Sequence, residues 1–460
     1  MVAKHLVSRF KELLGKDNVF EKEVDRFNYA YDAAVLDPKI PALVLKPKHR
    51  DQLGEIVSLC NENALPITVR GAGTNLSGGT IPEQHGAVLL TSGLNQILEI
   101  NEEDMYVRVE PGVVTAKLAT EITSKGLFYP PDPGSQSVST LGGNVAENAG
   151  GLRGLKYGVT KDYLMGLSFF DVQGNLVKTG SRTVKCVTGY NLAGLMVASE
   201  GTLGVFHEIT LKLIPPPQTS KAMMAIYDSV DGATETVAAI IASKILPCTL
   251  EFLDNFTIRA VEAFAHVGLP LDAKALLLIE VDGHPGQVAE EFEKVQKICN
   301  QNGASKIQVA KDEVEKNKVW EARRSALSAL ARLKPTLVLE DATVPRSKIP
   351  QMVKSIEELA RKHQLTIGTF GHAGDGNLHP TILCDKRNEA EWHRVETVVE
   401  ELFDIALGLG GTLSGEHGIG IAKSGFMAKE VGQASIEYSR RMKKALDPNG
   451  ILNPGKIIGG

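Results

Sequence analysis

Residues 366–383 read Thr-Ile-Gly-Thr-Phe-Gly-His-Ala-Gly-Asp-Gly-Asn-Leu-His-Pro-Thr-Ile-Leu, two short β-prone runs around Gly371, Gly374, Gly376 and Asn377. So many residues that tolerate positive φ in so short a space fit a tight hairpin loop and little else. A hairpin draws its arms together, so His372 and His379 lie on either side of one turn, where both imidazoles can face a single ion. A second glycine-framed run, Gly411-Thr-Leu-Ser-Gly-Glu-His-Gly-Ile-Gly420, supplies Glu416 and His417. Two histidines and a carboxylate from separate segments suit a divalent metal with an open coordination position. Two hydrogen-bonded loop histidines fit the same pattern.

The 45 glycines among 460 residues gather in such clusters, the mark of loops that bring bare backbone to a ligand. A chain this long divides into two or three domains. Its net charge of −5 argues against nucleic acid as the main partner. Cys60, Cys186, Cys248, Cys299 and Cys384 are isolated in sequence, which predicts reduced thiols of a cytoplasmic protein and no iron–sulfur cluster held by this chain alone. The first residues read as a mixed amphipathic helix without signal-peptide character, and no apolar run approaches the roughly 18 residues a spanning helix needs. Peripheral association with a membrane stays open.

In order along the chain, a strand at 67–70 leads into Gly71-Ala-Gly-Thr-Asn-Leu-Ser-Gly-Gly79, a loop of the kind that cradles a diphosphate through main-chain N–H groups. A glycine-rich turn that binds nothing is the plainer alternative. A Rossmann fingerprint fails, because Leu76 stands at the third glycine position and a strand, 87–91, follows where a helix should open. The stretch 129–151 is too polar to be a core element and too varied for a linker, which predicts a long functional loop. Strands 167–172 and 176–179 pair as a hairpin, and Pro215-Pro-Pro217 marks a domain boundary. Beyond it, strands at 222–227, 249–254, 275–281 and 306–310 alternate with helices at 232–244, 286–302 and 312–331, a split βαβ pattern on one antiparallel sheet. The last of these helices carries Arg323. Strand 337–340, helix 347–363, the hairpin, helix 389–408 and a final helix ending at Leu446 complete the pattern.

Five motifs then stand in a familiar order: the 70–79 loop, Pro131-Asp-Pro-Gly-Ser with Gly-Gly-Asn and Asn-Ala-Gly-Gly151, Glu200-Gly-Thr-Leu-Gly204, Gly371 to His379, and Gly415-Glu-His-Gly-Ile-Gly420. Together they resemble the FAD-linked oxidases of the vanillyl-alcohol oxidase (PCMH-type) superfamily, in particular the glycolate oxidase flavin subunit and D-lactate dehydrogenase group. The resemblance implies an α+β protein. A two-subdomain FAD-binding PCMH-type domain would occupy 1–217, a ferredoxin-like antiparallel-sheet cap domain 218–425, and a C-terminal helix and tail, returning to the FAD domain, 426–460. It implies non-covalent FAD, since the first loop lacks the histidine that often attaches flavin in relatives. Arg70, Gly71, Ala72, Gly73, Thr74, Asn75, Ser77 and Gly78 would hold the pyrophosphate. Thr140, Gly143, Asn144, Gly150 and Gly151 would line the flavin and ribityl chain, with Glu200, Gly204 and Val205 near the adenine and Asn453 returning from the tail. Pro131, Asp132, Ser135, Asn148 and Tyr157 complete the implied cofactor set.

By the same resemblance His372, His379 and Glu416 would bind Zn, Mn or Fe, His417 would act as general base, and Arg323 would take the substrate carboxylate. A cation beside the substrate hydroxyl favours loss of its proton while flavin takes the hydride. The implied reaction is oxidation of a small D-2-hydroxy acid, D-lactate or glycolate, to the 2-keto acid. Relatives acting on dicarboxylic hydroxy acids tend to carry further polar or basic groups at two places that hold Leu327 and either Leu339 or Glu340 here, so a small or apolar side group is expected. Two other readings share the fold, a metal-free alcohol or sugar oxidase and a non-catalytic FAD electron-relay subunit. Electrons would pass to a separate protein, an iron–sulfur subunit among the candidates, or to a quinone, and a homodimer is compatible with the sequence.

Overall fold

The strand Ala275–Gly283 opens with five apolar residues in a row, the pattern of a strand covered on both faces rather than one. Ala275, Leu277, Ile279 and Val281 enter one core and Leu276 and Leu278 another, as period-two geometry requires. A computed structural model, describing residues 2–459, sets this strand near the middle of an eight-stranded antiparallel sheet. The order is Ala304–Val309, Thr219–Tyr227, Ala275–Gly283, Thr249–Asp254, Thr366–His372, Asn377–Cys384 and Thr336–Leu339, with Ala342–Thr343 also pairing to Asn377–Cys384. Helices Val230–Ala242, Pro285–Gln301, Ile349–His363 and Glu389–Gly408 cover one face. Asn255–Ala265, Glu313–Arg324 and Ala326–Ala331 cover the other. The helix expected over 312–331 is thus two, parted at Ser325, and Asp312 caps the first by accepting the Glu315 N–H at 2.9 Å. This sheet and its helices form one compact unit, Gly151–Gly158 with Pro217–Gly415.

The second unit takes in the chain up to Gly150, Val159–Pro216 and the chain from Glu416 onward. It holds two sheets. In the smaller, Leu43–Leu45, Ala87–Leu90 and Ile67–Arg70 run parallel, with Val19–Phe20 antiparallel at the edge. Helices Lys4–Leu14 and Gln52–Glu62 bury Phe10, Leu53, Ile56 and Val57 in its core. The C-terminal tail joins this sheet, where Ile67 donates its N–H to Ile451 O and accepts the N–H of Asn453, both at 2.7 Å. The larger sheet is antiparallel, in the order Ile97–Asn101, Tyr106–Val109, Val205–Lys212, Leu164–Phe170 and Leu176–Gly180.

Two expectations are corrected. The polar stretch 129–151 is not loop throughout, since it contains the helix Leu141–Glu147, capped by Thr140 Oγ1 and closed by Asn148 in the left-handed conformation (φ 54°). Glycines at the second and third helical positions hid it, and Leu141 and Val145 anchor it in the core beside the larger sheet. The final helix, Met427–Leu446, is broken by non-helical backbone at Gly432 (φ 75°). Among the described residues no helix is long and apolar enough to cross a membrane.

Candidate active site

The turn after Ile67–Arg70 is built by its own side chains. Asn75 Oδ1 accepts the N–H groups of Ser77 at 2.9 Å and Gly79 at 2.7 Å, folding the loop on itself. The Arg70 guanidinium turns beneath it to Tyr31 O at 2.7 Å and Thr80 Oγ1 at 3.2 Å, filling the place where a side chain on Gly73 (φ 75°) would stand. Beside the loop lies a cavity lined in part by Gly71, Gly79, Gly142, Gly143, Glu200 and Gly204. The glycines are sterically required: a β-carbon on Gly71 would strike Thr140 Oγ1, and one on Gly204 would sit 2.7 Å from Phe169. Asn144 is buried and donates to Thr115 Oγ1 at 2.8 Å, and Asn148 Oδ1 accepts the Lys161 N–H at 2.9 Å. Asn453, from the tail, donates to Gly79 O at 2.9 Å and Glu200 O at 2.6 Å. Pro131, Asp132 and Val205 are buried, and Ser135 is half-buried. Of the sequence-derived cofactor set, Gly71, Gly143, Glu200 and Gly204 reach the cavity wall.

Two carboxyls share that wall. Glu200 accepts the N–H groups of Ile419 at 2.7 Å and Gly420 at 2.8 Å. Glu147, which sequence reading missed, ends the helix Leu141–Glu147 beside it. Burial pushes both carboxyl pKa values up, and each negative charge raises the other's cost. In the same segment, Ser77 Oγ donates to His417 O at 3.1 Å, and a β-carbon on Gly150 would lie 2.7 Å from Glu416 Oε2.

On the antiparallel unit the hairpin forms with Phe370 opposite His379 and His372 opposite Asn377. Phe370 and His372 stand two positions apart along one strand, so both imidazoles stand on one sheet face, their centroids 5.2 Å apart and the rings nearly perpendicular. Gly376 (φ 92°) makes the turn possible, since a side chain there would collide with Val344 O. The next strand pairs Phe252 with Gly371, a register that carries Glu251 to His372. Glu251 is fully buried, and its Oε1 accepts the Nδ1 proton of His372 at 2.7 Å while Oε2 pairs with Arg323 Nε. The guanidinium of Arg323 also stacks over Phe370, 4.8 Å from the ring centroid. Beside His379, buried Asp341 accepts from Asn377 at 2.5 Å and Ser414 at 2.7 Å, with His379 Nδ1 3.9 Å from its carboxylate. Gly415 packs against this cluster, where a β-carbon would lie 2.8 Å from Asn377 Nδ2, and Glu416 is the next residue. Tyr157 donates to Asp282 Oδ2 at 2.6 Å in this unit. Sequence reading missed Glu251 and the role of Asp341; a charged residue inside an otherwise apolar strand, Thr-Leu-Glu-Phe-Leu, is the signal that marks the first.

A bare-backbone cavity over a parallel sheet, together with a buried arginine and paired histidines on an antiparallel one, describes a flavin-type oxidoreductase. Residues 41–180 match the model of an FAD binding domain and residues 216–457 that of FAD linked oxidases, C-terminal domain. The chain belongs to the FAD-linked oxidase family and is an FAD-dependent oxidoreductase. Glycolate oxidase subunit GlcD of Bacillus subtilis (strain 168) is 48% identical over 458 residues, covering 100% of this chain and 97% of its own. The D-lactate dehydrogenase of Anaerostipes hadrus is 32% identical, covering 99% and 98%. Among solved structures, p-cresol methylhydroxylase with substrate bound aligns at TM-score 0.82 and 18% identity over 99% of this chain and 96% of its own, a likeness of fold. The α+β, PCMH-type architecture expected from the motifs is therefore the one observed.

Proposed function

We propose that this enzyme oxidises a small D-2-hydroxy acid, glycolate or D-lactate, to the corresponding 2-oxo acid. The observation that carries the reading is the buried row Arg323, Glu251, His372, His379 on one sheet face. The relatives' names, glycolate oxidase subunit and D-lactate dehydrogenase, point the same way. Arg323 is held by Glu251 and Phe370 yet keeps further guanidinium N–H groups beyond its Nε, so it offers a paired contact to the carboxylate of a hydroxy acid.

FAD, when bound, supplies the acceptor for the hydride leaving the hydroxyl-bearing carbon. The cavity suits it, because Gly71, Gly142, Gly143 and Gly204 present main chain where a β-carbon would fill the space or strain its neighbours. Gly71, Ala72, Gly73, Thr74 and Gly78 would offer main-chain contacts to its diphosphate, with Asn75, Ser77 and Arg70 shaping the loop. A divalent cation, held by His372, His379 and Glu416, would supply positive charge beside the substrate hydroxyl. The donor set fits: with Nδ1 committed to Glu251, His372 presents Nε2 as its basic nitrogen, the usual state of a ligating imidazole. His417 would take the hydroxyl proton. Leu339, itself partly buried against an apolar core, supplies no charge for a second carboxylate.

All five cysteines are free thiols, so we propose that electrons leave this chain for a partner subunit or a quinone. The test is anaerobic titration of the flavin absorbance with glycolate and with D- and L-2-hydroxy acids, before and after chelation and after restoring Zn, Mn or Fe. Bleaching by glycolate or a D-acid that depends on the metal is expected. Bleaching by none of them overturns the substrate class, and bleaching indifferent to chelation overturns the metal.

A further inference from the structure

On the proposed reading that this cavity takes the FAD diphosphate, Glu147 poses a charge problem. Its Oε2 is buried and has no hydrogen-bond partner among the described residues. Gly418 (φ 83°) is wedged against both wall carboxyls: a β-carbon there would run into Glu147 Oε2 and lie 3.1 Å from Glu200 Oε1. On its other side Glu147 meets the diphosphate-type loop, since a β-carbon on Gly79 would lie 3.1 Å from both Glu147 Oε1 and Asn75 Nδ2. Two buried carboxylates beside an anionic cofactor cannot all carry charge at acceptable cost.

The surroundings decide which carboxyl keeps a proton. Glu200 receives two main-chain N–H groups and feels the positive charges of Lys456 and Lys423. Glu147 receives a hydrogen bond from Asn75, and the charged groups that act on it, Glu200 and Asp32, are both acidic. A proton on the carboxyl satisfies the bare oxygen, removes the repulsion from Glu200 and turns an acceptor into a donor on a residue that lines the cavity.

We propose that Glu147 is held as a neutral carboxylic acid and donates its proton in a hydrogen bond to a diphosphate oxygen of FAD. It is a cofactor-binding residue that works only while protonated. Because burial and the neighbouring carboxylates raise its pKa, the proton is present at low pH and lost as pH climbs through the raised value. FAD affinity of the wild type should therefore fall toward alkaline pH.

The test measures FAD dissociation by flavin fluorescence on reconstituted apoprotein between about pH 6 and about pH 9, with the ³¹P resonances of bound FAD recorded alongside. Glu147→Gln keeps the shape and an N–H donor that does not titrate. It is expected to hold FAD within roughly threefold of wild type at low pH and to lose the alkaline weakening. Glu147→Ala should bind roughly tenfold or more weakly than wild type at low pH, the scale of a hydrogen bond to a charged group, and the gap should close as pH rises. In the wild type the ³¹P signals should shift across the same pH range as the affinity, and in Glu147→Gln they should not. A Gln variant as weak as the Ala variant, or a wild-type affinity that follows the Gln variant at all pH values, overturns the proposal. Phosphorus signals that stay still while the affinity changes overturn the diphosphate as acceptor.

Discussion

Glu251 and His372 lie 121 residues apart in sequence and meet at 2.7 Å, a fully buried carboxylate accepting the Nδ1 proton of an imidazole. Because the carboxylate can only accept, it fixes the tautomer and leaves Nε2 as the basic nitrogen. Its other oxygen holds Arg323, so one side chain orients a proposed metal ligand and the proposed substrate anchor together. In Glu251→Gln, one of those two partners must face an amide N–H instead of an oxygen. The variant should lose roughly 3 kcal/mol of stability, as when one member of a buried ion pair is neutralised. It should also retain metal at least about tenfold less tightly. Chemical denaturation and metal analysis after dialysis are the measurements; unchanged metal retention would show that Glu251 does nothing for His372 beyond packing.

Arg323 pairs with Glu251 through Nε and has its guanidinium carbon 4.8 Å over the Phe370 ring, an arrangement that uses both the fork and the delocalised charge of a guanidinium. Lysine keeps the charge and loses the fork and the stacking face. Arg323→Lys should raise KM for the hydroxy acid by roughly tenfold or more while FAD content stays at the wild-type level. Steady-state kinetics beside the flavin-to-protein absorbance ratio separate the two. A KM within twofold of wild type would remove Arg323 from substrate binding.

How much of this could be read in advance follows from how local each signal is. The hairpin was legible because its cause lies inside 18 consecutive residues: Gly376 must adopt positive φ, and alternation then sends His372 and His379 to one face. Arg323 was found through motif resemblance, but the reason it stays put was not, since Glu251 stands 72 residues away and only strand register brings it near. Glu147 escaped for a different reason: within Leu-Gly-Gly-Asn-Val-Ala-Glu it reads as the polar end of a loop, and only the fold brings its carboxyl beside Glu200 and Gly418. Asn75 and Arg70 were expected to hold the cofactor's pyrophosphate. Arg70 bonds to the loop's support, and Asn75 to the loop itself and to Glu147 and His417 O.

Gly204 tests the cavity wall itself. A β-carbon there would lie 2.7 Å from Phe169 Cδ2 and 3.0 Å from both Met196 Cε and Phe170 O, and the last, being backbone, has little room to yield. Gly204→Ala should therefore cost about 1–3 kcal/mol through overpacking and lower the fraction of protein purified with flavin. Denaturation midpoints and the flavin-to-protein ratio check it. A variant with wild-type stability and flavin content would mean that this strand entry can move away from the cavity.

Lys456 gives a pH dependence whose sign can be worked out. It is almost fully buried, and its ammonium donates to Ile81 O at 2.7 Å and Pro454 O at 3.2 Å. Burial brings its pKa down to about 8, against the pull of Glu83, Asp32 and Glu200. The unfolded chain keeps this proton up to about 10.5, so between about 8 and 10.5 the unfolded state binds more protons than the folded one. Stability from this group is therefore present above that window and is lost as pH falls through about 8. The full span is worth at most about 3 kcal/mol. Relative to Lys456→Met, which cannot titrate, the wild type should gain stability between about pH 8 and about pH 10. Urea denaturation of both proteins across that range reads the difference directly. Parallel profiles would show that Lys456 carries the same proton in both states, and that the two carbonyls compensate the ammonium for its burial.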